Sequence, residues 1–243
     1  SPPPGAIVVG PGGKYANLTA ALADTSSSVY FINSGTYDEQ VLISRSNIKI
    51  FGQTTVPLSY SGNTVTITNS LLASTAGSND LSGTVRVHAT NVSLYNLNIA
   101  NTFGHGPEQS QAIALSVQDG QFGAYGLKLT GYQDTLLANV GVEFYGNCWI
   151  EGAVDFIFGM SSSIWITNSI INVSPPPSSF VPHRRSTDDA NCAPQTDNVT
   201  FAEYNNTGDG STGVRASFAT KLTAPVSIST VIGSTSWIDS QFL

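Results

Sequence analysis

The chain has 243 residues, of which 40% are hydrophobic and only 10% charged, so it can bury a substantial core. Its formal net charge of −7 excludes nucleic acid and anionic membrane surfaces as natural partners. No apolar run approaches the roughly 18 residues a membrane-spanning helix requires.

The first residues, Ser-Pro-Pro-Pro-Gly, show neither a charged n-region nor an apolar h-region, as expected of a mature form whose signal peptide is gone. Asn-x-Ser/Thr sequons begin at Asn17, Asn91, Asn172, Asn198 and Asn205 and point to secretion as an extracellular glycoprotein. Residues 6–9 read as a strand. Leu18, Ala21 and Leu22 then recur at helical spacing, which predicts a short helix covering the open end of a solenoid. Residues 29–32, 41–43 and 48–52 are β-branched runs separated by Gly, Asn and Ser, the pattern of strands and turns.

Residues 69–83 are small and polar and read as a surface loop between coils. Strands return at 84–87, and segments 92–101, 125–134, 148–157 and 164–173 share one shape. Asn96, Gly131, Gly152 and Asn168 are expected at its turn, with each asparagine bonding the backbone of its own turn. Prolines exclude a central strand from 174–196, which reads as an irregular surface connection. Residues 198–204 restore a strand, and 216–222 and 226–232 supply further structure or a C-terminal helix. The whole of 1–243 reads as one all-β domain.

Within 111–159 the chain repeats itself. Leu129, Gly131 and Asp134 fall on Ile150, Gly152 and Asp155, an offset of 21 residues, and Gln111 precedes Gln133 by 22. Self-similarity near 20 residues is the mark of a solenoid of stacked coils. Parallel coils lie about 4.8 Å apart, so Asp134 and Asp155 are expected one rung apart on one face. Two carboxylates so placed do not both ionise comfortably; one keeps a proton and the other stays anionic. That pair suits acid/base plus nucleophilic chemistry, and the neutral amides of Gln111 and Gln133 are suited to stabilise an oxyanion.

His88, His105 and His183 lack metal-ligand spacing, and Trp149 and Trp165 follow the strand pattern as packing residues. Cys148 and Cys192 either pair or stay as buried thiols, since two cysteines define no framework.

GTYDEQ (35–40), QAIAL (111–115), GYQDTL (131–136) and DFIFG (155–159), in this order, resemble the signature segments of pectin methylesterases in their fungal form. The likeness runs to about residue 173 and resumes at 198–210 and 236–239. It implies a right-handed parallel β-helix that hydrolyses galacturonate methyl esters of pectin, releases methanol, uses no metal or cofactor and acts as a monomer. By that resemblance Asp155 is the nucleophile and Asp134 the general acid, later the base. Gln133 is an oxyanion donor supported by Gln111, while Val154, Phe158 and Tyr132 line the sugar cleft.

One departure is large. The family carries a Leu-Gly-Arg-Pro-Trp-like segment beyond DFIFG whose arginine pairs with the nucleophilic aspartate, and this chain has none. Sequence continuity breaks at 187–196, where about two coils are missing. Either the solenoid is shorter, or the natural protein carries residues this sequence omits. Arg184 and Arg185 are the nearest substitutes, and loss of the charge-assisted partner predicts reduced turnover. The competing readings are a polygalacturonan glycosidase or lyase on a similar solenoid, and a pectin-binding homologue with impaired catalysis. Carboxylates about 5 Å apart also suit a retaining glycosidase, whereas no carboxylate cluster suggests a lyase's Ca²⁺ site.

Overall fold

A computed structural model of the chain describes residues 1–106, 110–175, 201–204, 213–214 and 219–243. In chain order the first half contains β1 (Ile7–Val9), α1 (Leu18–Leu22), β2 (Val29–Ile32), β3 (Gly35–Asp38), β4 (Val41–Ile43), β5 (Lys49–Gly52), β6 (Val65–Asn69), α2 (Ala73–Ala76), α3 (Asn79–Ser82), β7 (Val85–Val87), β8 (Val92–Tyr95) and β9 (Asn98–Asn101). Then follow β10 (Leu115–Val117), β11 (Phe122–Tyr125), β12 (Lys128–Thr130), β13 (Leu136–Ala138), β14 (Val140–Gly146), β15 (Trp149–Gly152), β16 (Ile157–Phe158), β17 (Ser161–Thr167) and β18 (Ile170–Val173). Last come β19 (Phe201–Glu203), β20 (Ala219–Lys221) and α4 (Ile228–Ile232).

The strands up to β18 wind round three parallel sheets, one strand of each in every complete coil, with incomplete coils at β1 and at β17–β18. The first holds β1-β2-β5-β8-β11-β14-β17, the second β3-β6-β9-β12-β15-β18 and the third β4-β7-β10-β13-β16. This is a parallel β-helix. Its core is built from inward ladders in which each aliphatic sits on the equivalent residue of the next coil. Ile67, Ile99, Leu129 and Ile150 form one such column, all fully buried, and it continues to Ile171, which is half-exposed on the last coil of the stack. Burying such side chains is worth about 1.5–3 kcal/mol each, which drives the stacking.

Val29 and Lys49 are partners 20 residues apart, and Phe122, Glu143 and Ile164 are successive partners 21 apart, the shortest coils of the stack. Lys49 pairs Ser93 and Val92 pairs Phe122, so the coils between them are longer. Much of the extra length lies between the second and third sheets, in 70–84 and 102–114. The segment expected as a plain loop at 69–83 therefore holds two short helices, α2 and α3. Ser78 caps α3 by accepting a hydrogen bond from the Leu81 N–H, the side-chain preference that starts helices.

The expected turn assignment was mixed. Asn96, Gly126, Asn147 and Asn168 share the corner between the first and second sheets, each with φ between 49° and 61°. Gly131 and Gly152 instead lie at the corner between the second and third. Nor do the asparagines bond only their own turn, because Asn96 donates to the Ser59 carbonyl at 3.1 Å and Asn147 to that of Leu58 at 2.8 Å.

Helix α1 buries Leu18 and Ala21 as predicted; Asn17 caps it, and the Glu39 carboxylate accepts from the Leu18 and Thr19 N–H groups. At the other end of the sequence, Asp239 donates its N–H to the Tyr125 hydroxyl at 3.0 Å, and Phe242 packs against Tyr125 and Tyr95. Phe51, Tyr95 and Tyr125 form a stacked column there, with centroids 4.3 and 4.6 Å apart. Contacts divide the chain into Ser1–Pro175 with Val231–Leu243, and a second unit, Pro176–Thr230, whose described strands β19 and β20 pair in parallel. Most of the expected connection at 174–196, together with Cys192, Arg184 and Arg185, lies outside the described residues.

Candidate active site

Four successive connections between the second and third sheets meet at one corner of the helix. They are 70–84, 102–114, 131–135 and 153–156. Gln111 forms a parallel bridge with Gln133, and Gln133 with Val154, so the register expected from the 21- and 22-residue offsets is the observed one. Leu136 on Ile157 continues it, which places Asp134 and Asp155 at equivalent positions of adjacent coils.

Both aspartates have left-handed backbones, with φ of 65° at Asp134 and 44° at Asp155. Aspartate tolerates this region better than most residues, and the conformation turns the chain sharply from one sheet into the next. The Asp134 N–H is held by the Val154 carbonyl at 3.0 Å.

The two carboxylates differ in environment. Asp134 is 5% exposed, whereas Asp155 is exposed. Burial pushes the Asp134 carboxyl up to about 6, and the charge of Asp155 adds to the shift. One member of the pair thus favours holding a proton. Among the described residues, the ion pairs are Lys14–Asp24, Arg86–Asp80 and His88–Asp80, and none involves either aspartate of the rung.

Gln133 accepts the Ser110 N–H on Oε1 at 2.8 Å. That bond fixes the amide so that Nε2 is the end left to donate. Gln111 is half-buried on the coil before it, and its own carbonyl accepts the Ala73 N–H at 2.8 Å, tying α2 to the site.

Val154 occupies the same column one coil on. Tyr132 lies beside it, half-buried, edge-on to His105 with centroids 5.1 Å apart, and its buried hydroxyl has no hydrogen-bond partner among the described residues. Phe158 stands apart from this column. It pairs with Leu137 in the third sheet and lines a cavity of about 210 Å³ with Ile157, Met160 and Ile164. Trp149 is a packing residue, against Tyr60 and beneath Lys128, with its indole N–H on Glu151. Cys148 is a free, buried thiol facing the Gly146 carbonyl.

Sequence reasoning missed Asn79. It opens α3 and donates from Nδ2 to Asp134 Oδ2 at 3.3 Å. Ser78 ahead of Asn79-Asp80-Leu81 was an available helix-start signal, obscured by the polar composition around it.

The family model for Pectinesterase matches residues 7–189. The chain belongs to the pectinesterase family. It is a carboxylic ester hydrolase directed at the methyl esters of pectin. A pectinesterase from Aspergillus aculeatus is 38% identical over 99% of this chain and 93% of its own length. The crystal structure of the pectin methylesterase from Aspergillus niger, in deglycosylated form, superposes with a TM-score of 0.82 at 30% identity, covering 100% of this chain and 99% of that one. A pectin methylesterase in complex with a hexasaccharide superposes at 0.59 with 28% identity, over 74% of this chain and 58% of its own.

The alignment to the Aspergillus aculeatus protein runs over 309 positions, so at least 66 of them have no counterpart among these 243 residues. The match to the family model stops at residue 189, inside the stretch where the sequence already broke from the pattern.

Proposed function

We propose that this pectinesterase-family chain removes methyl groups from pectin by a two-aspartate mechanism, and the observation that carries the reading is the Gln111–Gln133–Val154 column with its buried and exposed aspartates on adjacent rungs. Asp155 attacks the ester carbonyl as a carboxylate. The oxyanion that forms accepts the Gln133 Nε2–H, with Gln111 supporting it from the preceding coil. As the tetrahedral centre collapses, the bond to the methoxy oxygen breaks and Asp134 delivers its proton, so methanol leaves. The acyl–Asp155 intermediate is then hydrolysed by a water that gives its proton to Asp134, which regenerates both groups and leaves a galacturonate carboxylate.

Val154 and Tyr132 line the cleft at this corner, and Phe158 extends it along the third sheet. The hexasaccharide bound by the structural relative makes a pectin chain the fitting substrate. The reading needs no metal or cofactor, and the protein acts as a secreted monomer. No helix among the described residues is long and apolar enough to cross a membrane.

Among the described residues no arginine pairs with Asp155, and a chain lacking that charge-assisted partner is expected to turn over more slowly than one that has it. Product analysis on highly methylated pectin tests the reaction class. Methanol without new reducing ends or unsaturated uronates supports the esterase. Reducing ends or unsaturated products in proportion to turnover would replace it with a glycosidase or lyase. Pectin binding with methanol at background would leave a binding homologue, a reading favoured by the missing positions alone.

A further inference from the structure

We propose that Asn79 is a positioning residue for the reaction, a neutral amide that α3 holds against Asp134 to fix which carboxyl oxygen carries the transferable proton. This rests on the reading of Asp134 as the general acid. The geometry starts from the 70–84 excursion, which brings α3 over the corner where Asp134 lies. Asn79 Nδ2 donates to Asp134 Oδ2 at 3.3 Å. An oxygen that accepts an N–H is not the one bearing the acid proton, so in the neutral acid the proton is on Oδ1. Oδ1 is thereby the oxygen that serves the leaving methoxy group.

The chemistry favours an amide at this position. A lysine or arginine there would favour the ionised carboxylate and empty the proton store before the leaving group needs it. A second carboxylate would repel Asp134 once it ionises. An amide orients the acid while keeping it neutral or nearly so.

The arm that carries Asn79 is anchored by its neighbour. Asp80 accepts from Arg86 Nη2 at 2.6 Å and Nε at 3.1 Å, from Ser116 Oγ at 2.7 Å, and meets His88 Nε2 at 3.0 Å. Burial works against its ionisation, but these bonds outweigh it and hold the carboxyl below the usual range. Arg86 lies on β7 and Ser116 on β10, so the clamp fastens α3 to the outer face of the third sheet on two coils. Further inward, Ser82 donates to the Asn79 carbonyl at 2.7 Å. A short helix tied at both flanks is a rigid platform, which a loop of this length would otherwise not be. The Asp80–His88–Ser116 group is not itself a nucleophilic triad, because serine and histidine both bond the aspartate.

The test is the pH dependence of methanol release by the full chain carrying Asn79→Ala or Asn79→Asp. The charged and titratable groups around Asp134 are Asp155 on the next coil, Asp80 with Arg86 and His88 behind Asn79, and His105 against Tyr132. Asn79→Ala is expected to lower kcat about tenfold with KM within twofold, the loss of one hydrogen bond to a charged group. Its alkaline limb, set by Asp134, moves up by about half a unit or more, since a donor that favours the anion is gone. Asn79→Asp preserves the volume and moves that limb up further, and it keeps the proposal testable if Asn79→Ala does not fold. Profiles of either folded variant that superpose on the parent's, with kcat within twofold, would overturn the role of Asn79 provided Asp134→Asn is inactive. An active Asp134→Asn would instead overturn the catalytic reading beneath it.

Discussion

In the proposed mechanism Asp134 joins chemistry to stability in one side chain. Its carboxyl is raised from 3.8 to about 6 in the folded protein, chiefly by burial. The folded state therefore holds its proton more tightly than the unfolded chain does, and the stability linked to that proton is complete below pH 3.8. It is lost as pH rises through 6. Asp134→Asn removes this penalty. Its melting temperature should match the parent's near pH 3.5 and exceed it by about 5 °C at pH 8, given a cost of about 2–3 kcal/mol. The same substitution should abolish turnover, so the acid is kept at the expense of stability. Gln133→Ala removes the oriented donor and should lower kcat by about 10²–10³, with a fall in melting temperature of a few degrees because the buried Ser110 N–H loses its acceptor. A Gln133→Ala variant with unchanged kcat would remove Gln133 from the oxyanion role.

Among the elements, the pair β12 and β15 shows where the sequence pattern is informative, and α2 and α3 show where it is silent. The pairing of 129–134 with 150–155 was legible because those coils have no insertion, so chemistry and register repeat at the same offset. The 70–84 excursion was not, because its helices are each four residues long and present no periodic apolar face. The corners were confused for a related reason. Gly and Asn serve at more than one corner of the coil, and composition alone does not say which. Gly159 of the DFIFG segment is explained only by the fold. A Cβ there would lie 1.7 Å from the Ala138 carbonyl oxygen of the neighbouring coil. Gly159→Ala should therefore destabilise the protein by about 1–3 kcal/mol, as overpacking against backbone does, with a measurable fall in melting temperature.

Glu143 on β14 is a second feature the alternation did not reveal. It takes an inward position between Phe122 and Ile164, fully buried, with Tyr145 donating to Oε2 at 2.6 Å and Oε1 without a partner among the described residues. Burial lifts its carboxyl to about 8, so it contributes most to stability below pH 4.5 and progressively less as pH rises through 8. Glu143→Gln should flatten the decline in melting temperature between about pH 4.5 and pH 8. An identical decline in the variant would show that another group causes it.

For the whole molecule, the parallel β-helix and the pectinesterase assignment were legible in four ordered segments, while the arrangement past residue 175 was not. At least 66 positions of the alignment to the Aspergillus aculeatus protein have no counterpart in this chain, and the family's arginine segment is not found in its sequence. The two aspartates and two glutamines all lie within residues 7–189, the stretch that the family model matches. The acidic balance, with a sequence pI near 4.7, acts over the full surface. De-esterified pectin is a polyanion, so retention on it should be weak at pH 7 and low salt, and should increase as pH falls towards the pI. Retention that is strongest at alkaline pH would contradict this.

The most direct measurement is the initial rate of methanol release from highly methylated pectin, taken side by side for the parent chain and Asp155→Ala, each with its intact mass verified. The account predicts release by the parent and none above background from Asp155→Ala at equal folded concentration. Equal rates from the two proteins would contradict it, since the nucleophile would then lie elsewhere.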